Sequence, residues 1–210
     1  MYIELKDVCK EIKNTAVLTD ISLRMEGGKV YGFRGKNGCG KTMIMRVISG
    51  LIRPTSGEVI IDNRTMWKDM TFPESIGILL ENPSFLDGYT GFDNLKILAS
   101  IKGGTDDIQI KDAMKKTGLN PDDNRKYKKY SLGMKQKLGI AAAFMENPDI
   151  VILDEPLNAL DKEGVDNVRA IINELKHGGK ITIIACHDAE EMELLADTIF
   201  EMENGKIVGK

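Results

Sequence analysis

Gly35-Lys36-Asn37-Gly38-Cys39-Gly40-Lys41-Thr42 fits the pattern GxxxxGKS/T. Its flanks are those the pattern demands: an apolar strand signal before it, Val30-Tyr31-Gly32-Phe33, and a helical apolar spacing after it, Thr42 to Ile48, ended by Gly50. Glycines there let the backbone wrap closely around a phosphate chain, so that successive N–H groups and the helix N-terminus face negative charge. Lys41 is placed to reach β- and γ-phosphates and the Thr42 hydroxyl to bind Mg²⁺. A nucleoside triphosphate is the expected ligand.

Upstream, Tyr2 to Lys6 and Val17 to Met25 alternate apolar and polar residues and Gly27-Gly28 makes a turn, so residues 1–34 read as strands. Downstream, Arg53 to Gly57 is a loop leading to a strand at Glu58 to Asp62, and Ile76 to Leu80 reads as a buried strand. From Asn82 the character changes to helices with polar faces, interrupted at Gly103-Gly104 and capped at Gly118. Ser131 is the expected N-cap of a helix reaching Met145, before Asn147-Pro148-Asp149 breaks it. Ile150 to Leu153 and Ile181 to Ala185 are apolar enough for strands buried on both faces, with an Asp161-capped helix between them ending at His177-Gly178-Gly179. Asp188 to Ala196 reads as a helix and Asn204-Gly205 as a hairpin turn. Alternating β and α elements give an α/β core around a largely parallel sheet, with residues 82–146 a helical subdomain inserted in a single domain over 1–210.

A phosphate loop alone does not separate kinases, GTPases and ATPases. The apolar run Ile150-Val151-Ile152-Leu153 ends in two acids, Asp154-Glu155. Beside the loop, Asp154 would lie near Mg²⁺ and Glu155 near the γ-phosphate, where a carboxylate can orient and activate the attacking water. In isolation such a pair is often a strand running into a solvated acidic loop; next to a phosphate loop the catalytic reading is stronger. Tyr130 to Ala141 begins as a Ser-capped helix with free N–H groups, which alone is an ordinary capped helix.

Composition excludes other classes. A net charge of −3 with 42% hydrophobic and 29% charged residues is that of a soluble globular chain. Cys9, Cys39 and Cys186 are odd in number and form no CxxC, which fits a reducing compartment and argues against a zinc site. The opening MYIELKDVCKEIK has no apolar signal region, and no run approaches the roughly 18 apolar residues of a spanning helix, so a membrane role needs a separate partner. The acidic balance disfavours nucleic acid, and Arg125-Lys126-Tyr127-Lys128-Lys129-Tyr130 reads as a solvated face or partner contact.

Taken in order, the phosphate loop, the inserted helices, Tyr130-Ser131-Leu132-Gly133-Met134-Lys135-Gln136-Lys137-Leu138-Gly139-Ile140-Ala141, Pro148 to Pro156, Asn158-Ala159-Leu160-Asp161 and the later His187 resemble the nucleotide-binding domain of an ATP-binding cassette (ABC) transporter. The likeness spans nearly the whole chain. It implies a P-loop NTPase core with a largely parallel sheet, an N-terminal antiparallel β-subdomain and an inserted α-helical subdomain. It implies ATP and Mg²⁺ as cofactors, with Gly35 to Thr42 and the adjoining Met43 as the Walker A segment. Lys41 would bind the phosphates, Thr42 and Asp154 the Mg²⁺; Glu155 would be the catalytic base and His187 the switch histidine on the γ-phosphate. Ser131, Leu132 and Gly133 would form the signature segment that covers the ATP of an opposing subunit, and Asn158 to Asp161 the D-loop.

The resemblance also implies partners. Two copies, or one copy and a relative, would sandwich two nucleotides and drive a transmembrane permease, placing the chain in the cytoplasm against the inner face of the cell membrane. No nucleic acid is expected. The YSLGMKQ string together with Glu81 is similar to the branch associated with bacitracin and lantibiotic export. The alternative is a soluble ABC ATPase acting on ribosomes or DNA. Such proteins resemble two fused cassettes or carry a long coiled-coil insertion, whereas this chain has one cassette and no heptad tract. A regulatory, non-catalytic cassette is disfavoured by intact Lys41, Asp154, Glu155 and His187.

Three departures from the family pattern bear on mechanism. Glu81 stands where a Gln is usual; it keeps an oxygen for Mg²⁺ or the lytic water but adds negative charge near Asp154 and Glu155. Ile12 falls where an aromatic ring commonly stacks on adenine, so base recognition is expected to be weaker. The signature reads SLGM rather than SGGQ, so that Ser131 and backbone amides must carry the phosphate interaction. Cys39 is small enough for the loop, and beside Lys41 at a helix N-terminus it is expected to be open to alkylation unless nucleotide protects it.

Overall fold

The structure, a computed structural model, describes residues 1–209. In chain order the elements are β1 (Tyr2–Ile12), β2 (Thr15–Glu26), β3 (Lys29–Arg34), α1 (Lys41–Ile48), β4 (Ser56–Ile61), β5 (Arg64–Thr65), β6 (Ile76–Leu79), α2 (Gly91–Lys102), α3 (Asp107–Lys116), a 3-10 turn at Tyr127–Lys129, α4 (Leu132–Phe144), β7 (Ile150–Asp154), α5 (Lys162–His177), β8 (Ile181–Ala185), α6 (Ala189–Leu195), β9 (Thr198–Glu203) and β10 (Lys206–Gly209). The strands and helices signalled by periodicity are all present, but β6, expected to be buried, is an edge strand in which Leu79 alone is buried. The two-residue β5 gave no signal because it is too short to alternate.

One sheet has the order β2-β1-β4-β5 and is antiparallel throughout. The other runs β10-β9-β3-β8-β7-β6, parallel from β9 to β6, with β10 alone turning back. All five residues of β7 and of β8 are buried, as their unbroken apolar runs require for strands covered on both faces. Ile150 and Ile152 pack with Ile44 and Ile48 of α1 and with β1 and β2, while Val151 and Leu153 pack with Val168 and Ile172 of α5.

The helical group has its own apolar cluster, with Leu95, Ile110, Met114, Tyr127 and Leu138 at its centre. Its helices start where sequence chemistry says: Thr90 and Asp93 form a capping box on α2, and Asp106 and Gln109 one on α3. α4 serves two clusters, since Leu138 and Ala141 face the helical group while Ile140 and Ala143 face β7 and α5. It lies so close to β6 that a Cβ on Gly77 would sit 1.6 Å from the Ala143 carbonyl oxygen.

The β9–β10 turn has a structural task of its own. Gly205 N–H donates to the Cys39 carbonyl at 2.9 Å, and its carbonyl accepts from Thr19 N–H at 2.8 Å. The hairpin thereby fastens the phosphate loop to β2.

Candidate functional site

β3, β8 and β7 end level with one another, since Phe33 pairs with Ala185 and Ala185 with Asp154. Immediately beyond those ends lie the glycine loop, His187 and Glu155. All three emerge at the carboxyl edge of a parallel sheet, where α/β folds bind ligands. Because β8 separates β3 from β7, Asp154 is not on the strand next to the loop. It meets the loop through α1 instead, where Thr42 Oγ1 donates to Asp154 Oδ2 at 2.6 Å.

α1 begins bare. Its N-cap, Gly40, has φ 113°, a conformation that only glycine adopts easily, and no side chain caps the first N–H groups. Those N–H groups and the positive end of the helix dipole remain available to an anion. Lys41 folds back over the loop, its Nζ donating to the carbonyls of Gly35 at 2.7 Å and Lys36 at 3.3 Å. A cavity of about 440 Å³ is walled by Asn37, Gly38, Gly40, Lys41, Thr42 and Met43 on one side and by Glu81, Asp154 and Glu155 on the other.

Gly35, Lys36 and Cys39 are not in that wall. Gly35 is needed for packing, because a Cβ there would meet the Met202 carbonyl oxygen at 2.2 Å. Cys39 corrects an expectation: its side chain is buried in the main core and its N–H donates to the Lys36 carbonyl at 3.1 Å. Alkylation requires an open thiol, and this one is buried, with the Cys39 N–H already engaged.

Burial pushes the Asp154 carboxyl above the ordinary aspartate value; the Thr42 hydrogen bond pulls it down, neighbouring Glu155 and Glu81 push it up and Lys41 opposes them. Glu155 has φ 51° and its N–H is held by the Ala185 carbonyl at 2.9 Å. Its Oε2 meets His187 Nδ1 at 2.7 Å. With an ionised Glu155, the proton of that contact lies on Nδ1. Glu81 also has a positive φ, 60°, and its carboxylate is paired with the Arg46 guanidinium of α1. It therefore borders the cavity while its charge is committed to Arg46.

Ser131 and Gly133 are outside this cavity. The Ser131 hydroxyl caps α4 by accepting from Met134 N–H at 3.2 Å, and a Cβ on Gly133 would lie 2.7 Å from the Ala159 carbonyl oxygen, so the glycine also has a steric reason within this chain. Leu132 beside them is 64% exposed. Ile12 lies outside the cavity wall, and the apolar side chain that β2 contributes there is Val17.

Val17, Asn82 and Gln136 line the cavity without having been singled out from sequence. Gln136 left a trace, a polar residue on the face of α4 shared by Gly139 and Ala143. Val17 left none, because its place beside the phosphate loop depends on how β2 packs against that loop and α1.

The ABC transporter family matches residues 18–158. The uncharacterized ABC transporter ATP-binding protein YybJ of Bacillus subtilis (strain 168) is 44% identical, covering 98% of this chain and 94% of that protein. The bacitracin transport ATP-binding protein BcrA of Enterococcus faecalis is 38% identical, covering 98% of this chain and 68% of that protein. Among solved structures, a dimeric post-hydrolysis state of the ATP-binding cassette MJ0796, bound to ADP and Pi, matches with a TM-score of 0.88 at 23% identity, over 99% of this chain and 97% of that one. A bare helix start, a committed Thr42–Asp154 pair and a Glu155–His187 pair at one sheet edge agree with that kinship: the chain belongs to the ABC transporter family, among its ATP-binding subunits.

Proposed function

We propose that this ATPase powers export of a peptide-antibiotic class of cargo through a separate membrane permease, from a peripheral position on the cytoplasmic face of the membrane. The observation that carries the hydrolytic part is the level ending of β3, β8 and β7, with the phosphate loop, Glu155 and His187 just beyond. The cargo class is supported by kinship with a bacitracin transport protein.

The residues present fit Mg²⁺. Thr42 Oγ1 and a buried Asp154 carboxylate are hard oxygen donors already in contact, and the upward push on Asp154 marks a charge that burial disfavours without a cation. Bound Mg²⁺ supplies neutralisation of charge on the phosphate oxygens. Lys41 exchanges the carbonyls of Gly35 and Lys36 for β- and γ-phosphate oxygens, and the free N–H groups of α1 receive the rest of the phosphate chain. Glu155 accepts a proton from the attacking water as the water oxygen bonds to the γ-phosphorus and the bond to the bridging oxygen breaks. His187 holds the Glu155 carboxylate in place and takes up the γ-phosphate as it moves. Glu81, once freed from Arg46, would offer a further carboxylate oxygen to the metal.

Ser131, Leu132 and Gly133 are assigned to the nucleotide of an opposing subunit, which the exposure of Ser131 and Leu132 at the start of α4, outside this chain's own cavity, supports. For the permease, a groove of about 680 Å³ between core and helical group is the docking site, with Leu51, Leu86, Ile97, Leu98 and Ile101 exposed along it. Arg46 lines that groove and binds Glu81, which lines the nucleotide cavity, so one ion pair joins the two sites.

The test is Glu155→Gln with ATP and Mg²⁺ followed by sizing. The apparent mass doubles if the two-nucleotide sandwich forms; a persistent monomer that binds ATP tightly overturns it.

A further inference from the structure

We propose that Gln136 is a positioning residue for Glu155, fixing the backbone from which that carboxylate projects; this rests on the reading of Glu155 as the base. Gln136 lies in the middle of α4 and is 7% exposed. Its Nε2 reaches the loop after β7, donating to the Glu155 carbonyl at 3.0 Å and the Pro156 carbonyl at 3.2 Å. Both hydrogens of the amide are thus used on consecutive peptide units.

The first of them is strained. At φ 51° Glu155 occupies the left-handed region, which a glutamate keeps only where its surroundings over-determine it. The constraints can be named. Its N–H is tied to Ala185 at the end of β8, its carboxylate to His187, and its carbonyl to Gln136 and, at 3.3 Å, to Asn158 N–H. The first two come from the parallel sheet and the Asn158 bond is local. Gln136 brings in the helical group, on a helix locked to β6 by the close approach of Gly77.

An apolar side chain of equal length would leave the two carbonyls without that donor and let the turn relax. The carboxylate would then swing away from the water it must activate, and displacements near 1 Å are enough to slow a positioned reaction by up to about a hundredfold. Since α4 opens on Ser131, within two turns of Gln136, engagement of an opposing nucleotide at that helix end acts directly on the group holding this subunit's own base.

Gln136→Met in the full chain tests the role. Turnover at saturating MgATP should fall about tenfold with KM for ATP within about twofold of wild type, and in the Glu155→Gln background the substitution should cause no further loss. Gln136→Glu supplies a carboxyl that donates a hydrogen bond only when protonated, so its turnover relative to wild type should rise as pH is lowered from about 8 to about 6. That measurement serves if Gln136→Met does not fold. Unchanged turnover in Gln136→Met, a loss that adds in full to that of Glu155→Gln, or a pH-independent ratio for Gln136→Glu overturns the role. Wild-type turnover in Glu155→Gln itself would instead overturn the base assignment, and this proposal with it.

Discussion

Burial holds the Asp154 carboxyl above 3.8, the ordinary aspartate value, against the opposing hydrogen bond from Thr42. The folded chain therefore binds that proton more readily than the unfolded chain, so this group's effect on stability worsens as pH rises through the window above 3.8. Near neutral pH, Asp154→Asn should raise Tm of the nucleotide-free chain by about 2 °C or more while lowering MgATP hydrolysis at least about a hundredfold. A thermal scan at pH 7 showing a lower Tm would refute the stability half. Lys41, Thr42, Asp154 and Glu155 were legible because spacing and flanking elements name them. Arg46–Glu81 and Gln136–Glu155 were not, since they join residues 35 and 19 apart whose meeting depends on how α1, β6, β7 and α4 stack.

At the scale of elements, local chemistry was a good guide. Thr90, Asp106, Ser131 and Asp161 all accept the cap bonds expected of such residues, and Asn204-Gly205 makes its turn with both φ values positive. What sequence could not show was the order of strands, because β8 enters between β3 and β7 from far along the chain. Nor could it show why Gly77 stands in β6. Its missing Cβ is the space in which α4 docks, so Gly77→Ala should cost about 3 kcal/mol or more in urea unfolding, the upper range for overpacking. An unchanged urea midpoint would mean that α4 sits farther from β6.

For the whole molecule, no helix among the described residues is long and apolar enough to cross a membrane, yet Ile101 is 80% exposed beside an open apolar groove. Ile101→Asp should leave ATP hydrolysis by the isolated chain within about twofold and cut recovery of a membrane protein with the tagged chain about tenfold. Full recovery would send the permease contact elsewhere. The hairpin turn at Gly205, which holds both Cys39 and Thr19, has a consequence for biosynthesis. The phosphate motif is synthesised long before β8, β9 and that turn. A nascent chain stalled before Ile181 carries the entire motif without this anchor, so its ATP retention should fall well below that of the full chain. ATP retention by stalled chains of increasing length thus tests whether the Gly205 anchor, rather than the motif alone, sets nucleotide binding.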